Sequence, residues 1–254
     1  LFQINESLAK RVFEDTNVLI DRAIGFINRK RTRGGDEPSV AKNYSLTFTG
    51  EGATGTSDYV TTDFDPDAYS LWEGFTVSYW VRPDEEVGSG GMFGRRNGSS
   101  EQRFFFGIHN ARTWIGVGRN VLQRGGLLHE MEIGEWYHWA VTFTGDFGPA
   151  GLRSVYRNGE LIWPDGTTEG KIQWNQHSGT SGGGHNLYFG ARNNNGNYTN
   201  SLACGLDEVA IFDEEKDSDW VKSAYNGGTP TDLQNENGLV GYWRFSEGSG
   251  TTTE

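Results

Sequence analysis

The sequence is poor in cysteine, in basic residues and in long hydrophobic runs, and each shortage argues against one class of structure or function. Among 254 residues there is one cysteine, Cys204, so no disulfide can form within the chain. No apolar stretch approaches the ~18 residues that a membrane span needs. Lys and Arg number 22 against 34 Asp and Glu, giving a net charge of −12. This balance argues against general nucleic-acid binding, because affinity for phosphate backbones comes mainly from basic side chains.

Glycine and aromatic residues, in contrast, are abundant. The chain contains 37 Gly together with 9 Trp, 10 Tyr and 15 Phe. This composition is typical of proteins in which many short strands are joined by tight turns, and it disfavours a helical bundle. The sequence therefore predicts an all-β body of a length that can bury a sizeable core.

Residues 1–42 have a different character. They contain 8 Lys and Arg against 6 Asp and Glu, their apolar residues recur at helical spacing, and Gly34 and Gly35 end the pattern. We predict an amphipathic helix followed by a tether. Because an apolar stripe must be buried somewhere, the helix either packs on the following domain or docks into a larger assembly or another copy of the chain. The residues expected to make that contact are Leu8, Val12, Leu19, Ala23 and Ile27.

From residue 44 onward the hydrophobic period changes to two. Residues 75–81 alternate between the two faces of a predicted strand, and Pro83 ends it. Asn158-Gly159 lies between two such runs and predicts a tight hairpin, because both residues tolerate positive φ. So many strands with few helices predict two stacked antiparallel sheets. Further strands are predicted at 44–49, 58–62, 103–108, 112–118, 136–144, 152–157, 160–163, 187–191, 206–212 and 239–245.

Several short motifs follow one another in a fixed order over residues 44 to about 250. They are Asp58-Tyr59-Val60, the run 75–83, Gly134-Glu135-Trp136-Tyr137-His138-Trp139, the hairpin 156–161, Leu206-Asp207-Glu208-Val209 and the closing run 238–245. In this order they resemble the laminin G-like family of concanavalin A-like jelly rolls. The resemblance implies a two-sheet antiparallel jelly-roll sandwich at 43–250. The predicted helix and tether precede it, and the polar residues that close the chain indicate the start of a linker or tail at 251–254. The segment 225–245 also looks like versions in tailed-phage and marine microbial surface proteins.

The resemblance carries expectations about function. Members of the family generally recognise glycans or proteins through loops at the rim of the sandwich, often near a bound calcium ion, and most are not enzymes. It implies that Asp58 and Asp207 come together as calcium ligands, whereas the alternative for Asp207 is a turn or a salt bridge. Thr56-Ser57 stand where the family often has another acid beside Asp58.

Glycoside hydrolases share this architecture, so a pair of catalytic carboxylates is a possibility to be weighed against the sequence. A retaining glycosidase needs two carboxylates close together on one strand face. Glu130, Glu132 and Glu135 come nearest to such a pattern, but Gly134 occupies the position of an acid and indicates a turn. We therefore expect solvated acids here and no catalytic residue. His138 and Cys204 are predicted to be buried core residues.

Two loops pair aromatic residues with amides, the combination that suits sugars. The candidate ligand-binding residues are Trp174, Asn175, Asn194, Asn195 and Tyr198. The alternative is a plain surface loop and a turn-rich hairpin, because Asn and Gly are ordinary turn formers.

Together these patterns predict a non-catalytic surface or virion protein with a structural or adhesion role. Its jelly roll would present rim loops to a glycan or a surface protein outside the cell, and its N-terminal helix would anchor it in an oligomeric assembly. The alternatives are a free carbohydrate-binding module and a jelly-roll glycoside hydrolase.

Overall fold

The computed structural model describes most of the predicted β body. The described residues are 45–50, 58–69, 71, 74–85, 90–97, 102–109, 112–118, 120–124, 131–144, 152–163, 186–194, 197–199 and 202–246. The predicted helix at 1–42, the tail at 251–254 and three ligand candidates, Trp174, Asn175 and Asn195, lie outside them. Among the described residues no helix is long and apolar enough to cross a membrane.

The described residues form short strands and one α-helix of two turns. The helix, α1, is Ser218–Tyr225. In chain order the strands are β1 Leu46–Thr49, β2 Val60–Thr61, β3 Gly74–Pro83, β4 Gly90–Asn97, β5 Gln102–His109, β6 Arg112–Gly118, β7 Asn120–Arg124, β8 Tyr137–Thr144, β9 Leu152–Arg157, β10 Glu160–Trp163, β11 Tyr188–Phe189, β12 Arg192–Asn194, β13 Asn197–Thr199, β14 Ala203–Phe212 and β15 Leu239–Trp243.

The strands pair into two main antiparallel sheets and a small hairpin. The seven-stranded sheet has the order β1-β14-β3-β8-β9-β10, and β15 also pairs with β14. The six-stranded sheet has the order β2-β11-β4-β5-β6-β7, and β12 pairs with β13. Distant segments of the chain are therefore neighbours in each sheet. The predicted two-sheet antiparallel jelly-roll sandwich is confirmed.

Aromatic side chains from both sheets meet in the core between them. Tyr79 of β3 packs edge-on against Phe93 and Phe106 of the other sheet, with ring centroids 5.0 and 6.1 Å apart. Phe75 makes a similar contact with Phe104 at 5.9 Å. Edge-to-face pairs at these distances add to the stabilisation that burial provides. The period-two pattern of the sequence thus supplies one core-facing row to each sheet.

Two turns predicted from the sequence are present. Asn158 and Gly159 join β9 to β10 with φ angles of 51° and 77°, and the Asn158 side chain accepts a hydrogen bond from the His138 N–H at 2.9 Å. Gly134 has φ of 87°, and its N–H donates to the Pro83 carbonyl at 2.8 Å. Both predictions are confirmed, since these positions require the left-handed backbone that glycine and asparagine tolerate.

Helix α1, which the sequence analysis missed, covers the outer face of the seven-stranded sheet. Trp220 packs edge-on against Phe212 of β14 with centroids 4.9 Å apart, and Tyr225 stacks on Trp80 of β3 at 5.8 Å. Val221 is fully buried in a cluster with Ala140 and Tyr156. This face of the sandwich is therefore taken up by the protein's own packing.

Candidate functional site

Two tyrosines lie together on the outer face of the six-stranded sheet, at the edge formed by β2 and β11. Tyr59 is 44% exposed and Tyr188 is half-buried. Their rings meet edge to face with centroids 6.4 Å apart and an interplanar angle of 61°. We call this feature the tyrosine edge.

The backbone of the tyrosine edge is held from both sides. Tyr188 lies opposite Thr61 of β2 and opposite Gly94 of β4. The next residue, Phe189, is fully buried in the core, so the alternation of the strand places Tyr188 on the outer face. Just before the strand, the Leu187 N–H donates to the Phe64 carbonyl at 2.8 Å. The position of Tyr188 is thus fixed by main-chain pairing.

The tyrosine edge suits a ligand with both apolar and hydroxyl groups. An aromatic ring offers a flat apolar face, and a phenol hydroxyl can donate and accept hydrogen bonds. The residue opposite Tyr188 on β4 is Gly94, so no side chain at that position covers the Tyr188 ring. Sugars, which have apolar C–H faces and many hydroxyls, fit this combination.

Trp136 is the aromatic residue of the Gly-Glu-Trp motif, and its surroundings are different. The Arg82 guanidinium lies over the Trp136 ring, 5.2 Å from the centroid, and hydrogen-bonds Asp84 at 2.7 and 3.1 Å. The ring also packs on Gly205, where an added Cβ would lie 2.9 Å from it. Trp136 therefore serves internal packing more than a ligand.

The two predicted calcium ligands have separate environments. Asp58 is exposed, and its carboxylate accepts hydrogen bonds from the hydroxyl and N–H of Thr49, which lower the pKa of Asp58. Thr49 pairs with Ala203, at the beginning of β14. Asp207 lies four residues farther along β14, about 13 Å at the usual rise of a strand.

Asp58 and Asp207 therefore do not fit one calcium site. A calcium ion needs six to eight oxygen ligands within about 2.6 Å. Among the described residues no three acids, histidines or cysteines are grouped so as to hold a metal ion. Calcium binding stays a prediction from the sequence, which a chelator-reversible rise in melting temperature on calcium addition would support.

Asp207 and Glu208 lie in a bulge of β14, between the stretches that pair with β1 and β15. Glu208 has φ of 49°, and its N–H donates to the Asp207 carboxylate at 3.0 Å. Asp207 is 4% exposed; burial, and then the charge of Glu208, raise its pKa to about 7. Tyr242 of β15 donates its O–H to Glu208. Glu208 thus helps to join β15 to β14, and Asp207 stabilises the bulge within β14.

Two of the predicted ligand residues, Asn194 and Tyr198, belong to the β12–β13 hairpin. Asn194 lies opposite Asn197, and Tyr198 lies opposite Asn193, so the two candidates occupy neighbouring cross-strand pairs. The hairpin follows the tyrosine edge after two residues, and β12 runs close to β4. The turn-rich hairpin considered from the sequence is thus present, and it adjoins the six-stranded sheet.

The remaining candidates for chemistry lie in structural positions. Glu132 and Glu135 are exposed in the turn that precedes β8, as the position of Gly134 predicted. His138 is 1% exposed and hydrogen-bonds the Ser78 hydroxyl through Nε2 at 2.8 Å. Cys204 is fully buried, and burial raises the pKa of its thiol. The predictions for His138 and Cys204 as core residues are confirmed.

The tyrosine edge itself was not identified from the sequence. Its signal was present in the predicted strand 187–191, where Leu187, Phe189 and Ala191 alternate with Tyr188. An aromatic residue at an outward position of a strand is a candidate contact for a ligand. Tyr59, however, lies 129 positions earlier in the sequence, and only the pairing of β2 with β11 brings it next to Tyr188.

Comparison with known proteins agrees with the observed architecture. One family model, described as the concanavalin A-like lectin/glucanases superfamily, matches residues 53–222. None of the curated proteins is similar enough to count as a match.

The chain also aligns with solved structures. A proposed carbohydrate binding protein from Bacteroides ovatus ATCC 8483 aligns with a TM-score of 0.53 and 16% identity, covering 80% of this chain and 52% of that one. The receptor binding domain of botulinum neurotoxin C/D mosaic serotype aligns with a TM-score of 0.48 and 13% identity, covering 73% and 43%. The chain thus spans about half the length of these two structures, and at 16% identity the first shows a likeness in fold alone.

Proposed function

Because this chain belongs to the concanavalin A-like lectin/glucanases superfamily, we propose that it is a non-catalytic carbohydrate-binding module. Its ligand lies on the outer face of the six-stranded sheet. The observation that carries this proposal is the tyrosine edge, in which exposed Tyr59 meets half-buried Tyr188 on a backbone fixed by two neighbouring strands. The Bacteroides ovatus protein that shares the fold is described as a proposed carbohydrate binding protein, which supports the same class of ligand.

The two outer faces of the sandwich differ in a way that favours this location. Helix α1 packs on the seven-stranded sheet and buries Val221 and Ala224 there. Within the described part of the chain, no helix packs on the six-stranded sheet. Among the described elements, α1 therefore takes up the seven-stranded sheet and leaves the other outer face uncovered.

The placement of the acids supports a binding function over hydrolysis. A retaining glycosidase holds two carboxylates about 5 Å apart in a cleft that binds the sugar. Glu132 and Glu135 are exposed in a turn, and Asp207 and Glu208 are engaged in internal hydrogen bonds near β15. None of these acids lies on the six-stranded sheet.

Binding of the full chain to a panel of soluble polysaccharides, followed by affinity electrophoresis, tests the proposal. We expect at least one polysaccharide to retard the protein, and Tyr188→Ala to weaken that binding about tenfold, which corresponds to ~1.4 kcal/mol of lost stacking. Leu161→Ala is the matched control, because Leu161 is also exposed but lies on β10 of the other sheet. Equal affinities for the two variants, or release of reducing ends from the polysaccharide, would contradict the proposal.

A surface or virion adhesin could use such a module at its exposed end. In that role the predicted helix at 1–42 would dock into the assembly, and Trp174 would be a further contact to the glycan. Loss of co-assembly in a Leu8→Asp, Leu19→Asp variant that still binds polysaccharide would support the anchoring role. Loss of glycan binding in Trp174→Ala would support the prediction that Trp174 contacts the ligand.

A further inference from the structure

The two rings of the tyrosine edge form a corner. The ring planes of Tyr59 and Tyr188 meet at 61°, and the ring centroids are 6.4 Å apart. Two rings at this angle cannot both lie flat against the same surface. A sugar ring is similar in size to a tyrosine ring, so one sugar residue can stack on one ring and touch the edge of the other. The geometry therefore suits a single sugar residue and not a flat array of chains.

An exposed threonine lies beside this corner. Thr61 of β2 is opposite Tyr188 of β11, and residues directly opposite one another share a face of the sheet, with Cβ atoms about 5 Å apart. Thr61 is exposed, whereas Val60 packs against the core. The alternation of the strand therefore places the Thr61 side chain on the outer face, next to Tyr188.

The corner is lined from β2 and β11. Tyr59 lies two residues before Thr61, so the alternation places both side chains outward, and the ring contact of Tyr59 with Tyr188 agrees with this. On the other side of Tyr188 the opposite residue is Gly94 of β4, which contributes no side chain. Tyr59, Thr61 and Tyr188 are thus the three side chains that meet at this end of the sheet.

The hydroxyl of Thr61 supplies a polar contact beside the two rings. A sugar ring presents C–H groups on its faces and hydroxyls around its rim. A threonine hydroxyl both donates and accepts hydrogen bonds, so it can pair with a sugar hydroxyl in either direction. A few polar groups placed beside an apolar surface fix the orientation of a ligand. Thr61 is therefore positioned to orient a sugar that stacks on the tyrosine edge.

We propose that the tyrosine edge holds one residue of a soluble glycan and that Thr61 determines which sugar is accepted. The sugar ring stacks in the corner, and one of its rim hydroxyls pairs with the Thr61 hydroxyl. The flat surface of an insoluble polysaccharide does not fit, because it requires coplanar rings. This inference rests on the proposed function and adds the form of the ligand and a residue that selects it.

Chain length tests the single-residue site. Isothermal titration calorimetry compares the affinity of the full chain for the methyl glycosides of glucose, galactose, mannose and N-acetylglucosamine with its affinity for linear hexasaccharides of the same sugars. We expect at least one methyl glycoside to bind. Its hexasaccharide should bind at most about sixfold more tightly, which is the statistical gain from six equivalent residues. A larger gain would overturn the inference, because several sugar residues would then contact the protein.

Sedimentation with microcrystalline cellulose and with chitin powder tests the corner geometry. We expect the protein to stay in the supernatant with both, since neither surface can contact two rings that are 61° apart. Sedimentation with either powder that is lost in Tyr59→Ala would overturn the inference and leave the proposed function intact. The tyrosine edge would in that case bind carbohydrate as a flat surface.

Variants then test the polar contact, with the methyl glycosides as probes. Thr61→Val keeps the shape and the strand preference but removes the hydroxyl, so it should weaken binding about fivefold, the loss of one neutral hydrogen bond. Thr61→Ser keeps a hydroxyl and should retain most of the affinity. Thr47→Val is the matched control, because Thr47 is also an exposed strand residue but lies on β1 of the seven-stranded sheet.

The preference among the four methyl glycosides separates selection by Thr61 from a purely structural effect. In Thr61→Val the loss should be greatest for the sugar that the wild type binds best, whereas an equal loss for every sugar would overturn the role of Thr61. Equal affinities in Thr61→Val and Thr47→Val would overturn it as well. Unchanged melting temperatures confirm folding, and Thr61→Ala replaces Thr61→Val if the latter does not fold. Binding to no saccharide, soluble or insoluble, would overturn both the inference and the proposed function.

Discussion

Gly190 lies at a point where the backbone passes directly against a core ring. Its φ is +83°, and a Cβ added there would lie 2.1 Å from the Phe48 ring. Gly190→Ala must therefore combine a strained backbone with a clash in the core, and we expect the free energy of unfolding to fall by about 3 kcal/mol. Urea denaturation followed by tryptophan fluorescence measures this change. Because Tyr188 is two residues away, polysaccharide binding should weaken as well.

Gly227 provides the control for the backbone contribution. It also has positive φ, +62°, but an added Cβ would meet no heavy atom within 4 Å. Gly227→Ala should cost only the conformational strain, about 1 kcal/mol. Similar losses at both positions would show that the contact with Phe48 has no effect.

Individual residues were predictable where local chemistry alone determines their conformation. Asn158 and Gly159 form a turn because both tolerate positive φ, and His138 is buried because it lies within an apolar strand. The pairing of Asp58 with Asp207 was not a local property. It depended on the register of β1 on β14, which puts Asp58 beside Thr49 and Asp207 four residues farther along.

At the scale of elements, helix α1 depends on its N-cap. The Asp217 side chain accepts a hydrogen bond from the Trp220 N–H at 2.8 Å, and Trp220 and Val221 pack on the seven-stranded sheet. Asp217→Ala should reduce the free energy of unfolding by about 1 kcal/mol, because an amide donor at the start of the helix loses its partner. Thermal denaturation followed by far-ultraviolet circular dichroism measures the loss.

Asp219 offers a comparison within the same helix turn. Its carboxylate is exposed and lies 4.0 Å from the Lys222 ammonium, and its carbonyl accepts a hydrogen bond from the Ser223 hydroxyl, which an alanine would keep. Asp219→Ala removes a favourable dipole interaction but no cap, so its effect should stay below about 0.5 kcal/mol. An effect equal to that of Asp217→Ala would show that charge near the helix start matters more than the cap.

Some elements were predictable from sequence and others were not. The strands Arg112–Gly118, Leu152–Arg157 and Glu160–Trp163 have the predicted bounds, because alternating apolar residues or a strong turn define them. Strand β4, with the sequence GGMFGRRN, was missed, since glycine and arginine give little strand signal and pairing with β5 determines its structure. Helix α1 was missed because eight residues form a stable helix only through tertiary packing.

At the scale of the whole molecule, the candidate site could be predicted only in part. The sequence indicates the fold, because its motifs recur in the order of a known family. It does not indicate which face binds, because that depends on α1 covering one sheet and on strand pairing that assembles the tyrosine edge. The predicted ligand residues that are described, Asn194 and Tyr198, lie in a hairpin next to that face.

The pH dependence of overall stability contains two opposing contributions. Burial lowers the pKa of His138 to about 4, so between this value and the ordinary 6.5 the unfolded chain binds a proton that the folded protein does not. As the pH is lowered through this range, the free energy of unfolding therefore falls by up to about 3 kcal/mol. For Asp207, burial and the charge of Glu208 raise the pKa to about 7. The folded protein therefore gains stability from Asp207 as the pH falls from about 7 toward 4.

Two variants should separate these contributions by giving stability slopes of opposite sign relative to the wild type. In His138→Gln the Asp207 contribution remains. As the pH is lowered from about 7 to about 5, the free energy of unfolding of this variant should therefore rise relative to that of the wild type. In Asp207→Asn the His138 contribution remains, and the free energy should fall relative to wild type over the same range. Urea denaturation of the three proteins at both pH values measures the slopes. Because every other titrating group is common to all three, parallel slopes would show that neither buried group has a shifted pKa.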